Sequence, residues 1–298
     1  MSEEARVQTQ RKLTRKEQRQ VDAKTRFSSP AASLIAVLIA VFWTVPTAGL
    51  LITSFRTQSD IRRTGWWTAI FNPKFTIDNY VETLGTNNLM DSFFNSFIIT
   101  IPAVLIPIML ALLAAYAFAW IDFKGRNFLF AFVFALQVVP IQVTLVPLLT
   151  QYVNWGLANT YWTVWLSHTI FGLPLAIFLL HNFMKEIPRS LIEAARVDGA
   201  GHVRVFFQVL MPLLVPAIAS FAIFQFLWVW NDLLVALTFA APEYMPITAV
   251  TAGLSGSFGS KWHLLSSAAF ISMIVPLVVF LSLQRYFVRG LLAGGVKG

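Results

Sequence analysis

The residues that could do chemistry in this chain are few, and their spacing points to docking and binding, not to bond making. The densest group lies in PRSLIEAARVDGAGHVRVFFQVLMPLLVP, Pro188 to Pro216, where Glu193, Ala194, Ala195, Asp198 and Gly199 fall within seven residues. A second group is the run WVWND, in which Trp228 and Trp230 stand beside the amide of Asn231 and the carboxylate of Asp232. Four histidines, at 168, 181, 202 and 263, show no HExxH-like spacing, and the chain has no cysteine, hence no thiolate metal site and no disulfide framework. No G-x-x-x-x-G-K-[ST] phosphate loop occurs, and no nucleophile–base pair or metal constellation stands out. An enzyme is therefore the weakest class, and a nucleotide site for any energy-coupled process must come from another chain.

The elements that position these groups belong to a membrane. Of the 298 residues, 57% are hydrophobic and only 12% charged, against about 25% charged in soluble domains. Six segments reach the roughly 20 apolar residues that span a bilayer as helix: near Ser33–Phe55, Phe94–Trp120, Phe128–Gln151, Tyr161–Phe183, Leu213–Ala240 and Leu264–Phe287. The runs are too long and do not alternate as strands would. Prolines 46, 102, 107, 140, 147, 174 and 276 lie inside them, so kinked helices are expected, with the freed carbonyls satisfied in a bundle. The fold class expected is an all-α integral membrane protein of six kinked spans: a basic tail (1–32), a transmembrane domain (33–287) and a C-terminal tail (288–298).

Lysine and arginine set the orientation. Eight lie in the N-terminal tail, two in DFKGRN, four in the segment around Glu193 and three at the C-terminus, so 17 of the 22 fall on one side. Both termini and the Pro188–Pro212 segment are thus expected in the cytoplasm. The loops Arg56–Ser92 and Pro242–His263 are expected outside, with Trp155 and Trp162 in the outer interface belt. The net charge of +8 and the tail RKLTRKEQRQVDAKTR read as an orientation signal and a contact for anionic membrane lipid, not a nucleic-acid surface.

Between the fourth and fifth spans the polarity is local. Pro188 stops one helix, and SLIE reads as a capping box in which Ser190 caps a new helix and Glu193 reaches back. DGAG breaks that helix, because Asp198 and the glycines tolerate positive φ. A second short helix, about His202–Leu210, is expected to end before Pro212. Two readings remain: a docking surface with a small alanine face, or an amphipathic connector lying on the membrane.

EAARVDGAGHVRVFFQVLMP resembles the EAA loop of ABC importer permeases: E-A-A, three residues, G, nine residues, then I-x-L-P. Glu193, Ala194 and Ala195 are followed at the right spacing by Gly199 and by Val209-Leu210-Met211-Pro212, with Val209 and Met211 in place of Ile and Leu. WVWND and LQRYFVRGLLAGGVKG are similar to carbohydrate-uptake permeases of the maltose type. The resemblance implies that this loop is a coupling helix docking on a cytoplasmic ATPase through Glu193, Ala194, Ala195, Asp198, Gly199, Met211 and Pro212. It implies two copies of that ATPase, which alone binds ATP and Mg, a second, different permease subunit, an extracytoplasmic sugar-binding protein, and a place in the bacterial cytoplasmic membrane. The tail residues Gly294, Gly295, Val296 and Lys297 are expected either to reach between the ATPase subunits or to form a disordered end. No cofactor or metal is expected in this chain.

Asp232 is the one acidic residue well inside an apolar run, which makes it a functional candidate. At 1.5 Å per residue it stands about 28 Å from Leu213, near a boundary. There it is hydrated, or hydrogen-bonded within the bundle, or it lines a solute path with Trp228, Trp230 and Asn231, a set that offers a sugar both polar partners and an aromatic face. Gln137, Gln142 and Thr144 either line a polar path or satisfy the backbone around Pro140. The function expected is translocation of an oligosaccharide or disaccharide, an α-glucoside such as maltose or trehalose. A permease for polyamine or another non-sugar solute is a second reading, although a cationic solute would favour several acidic pore residues. An ion-coupled secondary transporter is a third, and lacks midplane acids.

Overall fold

The computed structural model describes residues 30–85, 88–254 and 261–295, with side chains to residue 284. The basic tail lies outside the described residues. Among those described, regular structure is helical apart from one isolated antiparallel bridge between Arg56 and Phe75. Helix α1 (Pro30–Ser54) is followed by short α2 (Gln58–Arg63), a 3-10 turn (Trp66–Ile70) and α3 (Asp78–Gly85). Then come α4 (Leu89–Trp120), α5 (Arg126–Ala135), α6 (Ile141–Asn154) and α7 (Tyr161–Glu186). The polar segment holds α8 (Arg189–Val197) and α9 (His202–Arg204). It leads into α10 (Met211–Trp230), α11 (Leu234–Phe239), α12 (Ile247–Gly253) and α13 (Trp262–Gly295).

Five helices are long and apolar enough to cross a membrane, and a bent pair, Arg126–Val138 with Ile141–Asn154, makes six if it is one crossing. The core is the packing of α7 along α4, with α10 against both. Ala103, Pro107, Ala111, Ala115 and Ala119 recur every fourth residue of α4 and are all buried. Small side chains at that spacing let backbones approach closely, which is how helices associate where water supplies no hydrophobic drive. By contrast α1 is almost wholly exposed, as a helix facing lipid or another subunit would be.

Three expectations are corrected. The third span is not a kinked helix but breaks by 101° between Val138 and Ile141. Pro140 holds Val139 extended (φ −69°, ψ 119°) and itself becomes the N-cap of α6. Pro107 interrupts α4 less because neighbours pack over it, whereas α5 buries no residue and has nothing to offset the lost bond. The fifth span ends at Trp230 instead of Ala240, and α11 restarts at Leu234. The segment from Pro242 contains a helix of its own. Helix α12 within it buries Ile247, whose N–H donates to Ser96 Oγ at 2.9 Å, and Asn95 Nδ2 donates to the Glu243 carbonyl at 3.0 Å. Finally, α13 runs unbroken past Phe287, so Gly294 and Gly295 are helical, not part of a flexible tail; Val296 and Lys297 lie outside the described residues.

Candidate functional site

The polar segment between α7 and α10 is built by one glycine and one isoleucine. Helix α8 ends in a paired-bond turn: the N–H of Gly199 donates to the Arg196 carbonyl at 3.0 Å, and that of Ala200 to the Ala195 carbonyl at 2.9 Å. This Schellman closure needs a left-handed residue after the C-cap, and Gly199 supplies it with φ +80°. A Cβ there would meet nothing within 4 Å, so the position demands glycine for its backbone and not for space. Ile192 is buried in the main core beside Leu180, Met184 and Phe206, with Ala195 and Ala200 half-buried against it. Glu193, Ala194 and Asp198 stay exposed.

The capping box does not form. Arg189 already lies in the helix, Pro188 is the N-cap, and no side chain caps it. Pro188 holds an extended backbone (φ −58°, ψ 130°), which leaves Ser190 two residues too far inside the helix and Glu193 facing solvent. The helix from His202 does not stop before Pro212 either, but continues to Trp230 as one 29-residue run. Residues Val205–Leu210 widen into a π turn, in which Met211 N–H reaches back to the Phe206 carbonyl. That local rearrangement lets the chain pass a proline that cannot donate. The segment is therefore strung tightly between α7 and α10. Tyr116 Oη, hydrogen-bonded to His202 Nδ1 at 2.7 Å, ties it also to the end of α4. Val197 and Val203 flank the turn and are 87% and 73% exposed, an apolar knob beside the exposed carboxylates of Glu193 and Asp198.

At the other end of α10 the four candidate residues of WVWND fall in different surroundings. Trp230 is 1% exposed. Its indole N–H donates to the Ser272 carbonyl at 3.0 Å, and its ring packs on Phe97 and Phe226. With ring and N–H both occupied by protein it is a core residue, which corrects its place in a solute path. Asn231 is exposed and returns its Nδ2 to the Leu227 carbonyl at 2.7 Å. The Asp232 carboxylate accepts from Val235 N–H at 3.3 Å and Ala236 N–H at 3.0 Å, capping α11, and lies 3.8 Å from His168 Nε2. Trp228, half-buried, meets the same imidazole edge-on at 5.0 Å. So Asp232 and Trp228 come together, through a buried histidine that sequence reasoning had set aside. A separate cleft of about 420 Å³ opens at the break of the third crossing, lined by Gln137, Gln142 and Thr144 with Val138, Ile170 and Phe171. None of Trp228, Asn231 or Asp232 lines it.

The different standing of the two tryptophans is testable. Trp230→Phe keeps an aromatic ring in the core but trims the indole, leaving a small void, and removes a hydrogen bond worth about 1 kcal/mol. Uptake in membranes with matched protein levels should stay within about twofold while thermal stability falls slightly; a larger loss of uptake would return Trp230 to the solute path.

The described residues form a multi-span helical bundle whose polar segment hangs between two core helices. Residues 103–292 match the family described as "Binding-protein-dependent transport system inner membrane component". The chain belongs to that family and is a carbohydrate-uptake ABC permease, a multi-pass membrane protein and not an enzyme. It is 52% identical to the osmoprotective compounds uptake permease protein GgtD of Synechocystis sp. (strain ATCC 27184 / PCC 6803 / Kazusa), over 92% of this chain and 94% of that one. It is 50% identical to the alpha-glucoside transport system permease protein AglG of Rhizobium meliloti (strain 1021), over 82% of this chain and 68% of that one. A chain of a bacterial alginate ABC transporter, solved in complex with an alginate pentasaccharide-bound periplasmic protein, shares the fold. Its TM-score is 0.61 at 17% identity, covering 87% of this chain and 94% of that one.

Proposed function

We propose that this permease imports a small uncharged α-glucoside, of which trehalose and maltose are the leading candidates. The observation that carries the reading is identity of half or more to two permeases, one named for α-glucosides and one for osmoprotective compounds. An α-glucoside that is itself a compatible solute meets both descriptions, which favours a trehalose-like disaccharide. The neutral hydrogen-bonding groups of Gln137, Gln142 and Thr144 in an otherwise apolar cleft suit an uncharged polyol better than a polyamine. Uptake of labelled trehalose, maltose and spermidine by vesicles holding the assembled transporter and its binding protein tests this. Saturable, ATP-dependent uptake of a disaccharide alone is expected, and uptake of spermidine alone would overturn it.

In this reading the binding protein delivers sugar from outside. A second, different permease completes the path, and two ATPase subunits that bind ATP and Mg drive it. Glu193, Ala194, Ala195, Asp198 and Gly199 with the Val197–Val203 knob face the ATPase, Met211 and Pro212 begin the helix that carries the push inward, and the end of α13 with Val296 and Lys297 approaches the ATPase pair. Asp232, with Asn231 and Trp228, stands at the outer end of α10. Both termini are then cytoplasmic, a reading that the skew of 17 of 22 basic residues supports. A reporter active only in the cytoplasm, fused after Gly298, should be active; an expressed but silent fusion would reverse the topology.

A further inference from the structure

We propose that residues 64–81, beyond the first crossing, form a foot seated in the headgroup–acyl boundary of the bilayer, with lipid as its partner. Trp67, Ile70, Phe71, Phe75, Ile77 and Val81 are each 57–88% exposed. Such exposure is ordinary on a span that lipid covers, but these residues belong to no span. Their depth follows from one contact. The Trp66 indole packs so closely on α1 that a Cβ on Gly49 would come within 2.7 Å of Trp66 Nε1. Gly49 lies five residues before Ser54, the end of α1, which is about 8 Å back along the helix at 1.5 Å per residue. The chain therefore turns after α1 and comes back alongside it, to a depth matching the 5–10 Å by which interfacial segments bury their apolar faces.

Three further observations fit lipid. Trp67, Phe71 and Phe75 make up half of the exposed set, and aromatic rings, Trp above all, favour the membrane–water interface. The cations are placed for phosphate. Arg63 and Lys74 are exposed. Lys74 lines a cleft of about 110 Å³ with Arg56, Asp60, Thr64, Thr68 and Asn72. The buried Arg56 guanidinium bonds the carbonyls of Asp60 and Thr64 and the hydroxyls of Thr64 and Thr68, and has no carboxylate partner among the described residues. The foot is also held rigidly. Asn79 Nδ2 donates to the carbonyls of Ser54 and Arg56, each at 2.8 Å, and Thr83 Oγ1 meets Ser267 Oγ of α13 at 2.6 Å. Its depth is thus fixed by the spans and not by a loose loop.

Because the chain has no cysteine, a single thiol reads this depth directly. The assembled transporter carrying Phe71→Cys, labelled with a fluorophore, is reconstituted into vesicles of phosphatidylethanolamine and phosphatidylglycerol, with Ser59→Cys as the polar reference. Quenching by lipid bearing a nitroxide near the top of the acyl chain should exceed quenching by aqueous iodide at Phe71 by about twofold or more, and the order should reverse at Ser59. Iodide quenching at Phe71 equal to that at Ser59 would place the foot in water. Access by neither quencher would place it under another protein subunit. Either result overturns the proposal. If Phe71→Cys fails to assemble, Ile77→Cys gives the same reading.

Discussion

Gly199→Val is expected to leave a membrane-inserted permease that no longer couples ATP hydrolysis to uptake. The turn after α8 requires φ +80° at this residue, and a β-branched residue held there costs on the order of 1–3 kcal/mol. No neighbour lies within 4 Å of the added Cβ, so the whole cost is backbone conformation and the core is untouched. Relieving that strain means opening the turn, which swings Glu193 and Val197 of α8 away from Val203. At 1.4 kcal/mol per decade, the docking-competent turn should fall about 5- to 100-fold in population. Three variants separate this from a general lesion. Gly199→Asn, which tolerates the left-handed region, should keep most of the uptake. Gly199→Ala should lose nearly as much as Val. Gly201→Ala should be neutral, since Gly201 has an ordinary extended backbone (φ −74°, ψ 173°) and open space around it. The measurement is co-purification of the ATPase together with labelled-sugar uptake at equal permease levels. Normal transport by Gly199→Val would make the segment a mere connector.

Local backbone chemistry accounts for what the sequence made legible and what it hid. Gly199 was readable because only a residue free at positive φ closes a helix in that way, and the length of the apolar runs was readable because the bilayer fixes it. The misassigned cap at Ser190 came from weighing the S-x-x-E pattern over Pro188, whose fixed φ starts the helix two residues earlier. The breaks at Pro140 and Asn231 were hidden by uniform hydropathy, since an apolar run scores alike whether straight, bent by 101° or restarted. A signal did exist at the second: Asn-Asp before an apolar stretch is a helix-start pattern, and Asp232 does cap α11. Trp230 and Trp228 could not be told apart, because a helix that is apolar all round does not disclose which face is inward. Tertiary contact with Phe97, Phe226 and Ser272 decides it for Trp230.

The segment proposed to meet the ATPase hangs between α7 and α10, and in that reading a push on it moves sugar only if those two helices move as one body. One close tie between them is the pair Gly172 and Gln225. Gln225 on α10 is 3% exposed, and its Nε2 donates to the Ala103 carbonyl of α4 at 3.1 Å and to the His168 carbonyl of α7 at 3.4 Å. One amide thus joins three core helices, and it fits because residue 172 has no side chain. A Cβ there would stand 2.7 Å from Gln225 Oε1 and 2.8 Å from Nε2. Gly172→Val should drive the amide from its seat, adding about 1–3 kcal/mol of overpacking to about 1–3 kcal/mol for buried polar groups left without partners. The expected result is a sharp fall in detergent-stable permease, and in what survives, ATP hydrolysis that no longer tracks uptake. The double variant Gly172→Val/Gln225→Ala decides the cause. Trimming Gln225 makes room for the valine and removes the amide that lost its partners, so the double should recover much of the folded yield lost by Gly172→Val alone. It should not recover full coupling, because the cross-link between α4, α7 and α10 is still missing. If the two changes instead add without rescue, the defect at 172 does not run through Gln225, and the three helices are held together by some other contact.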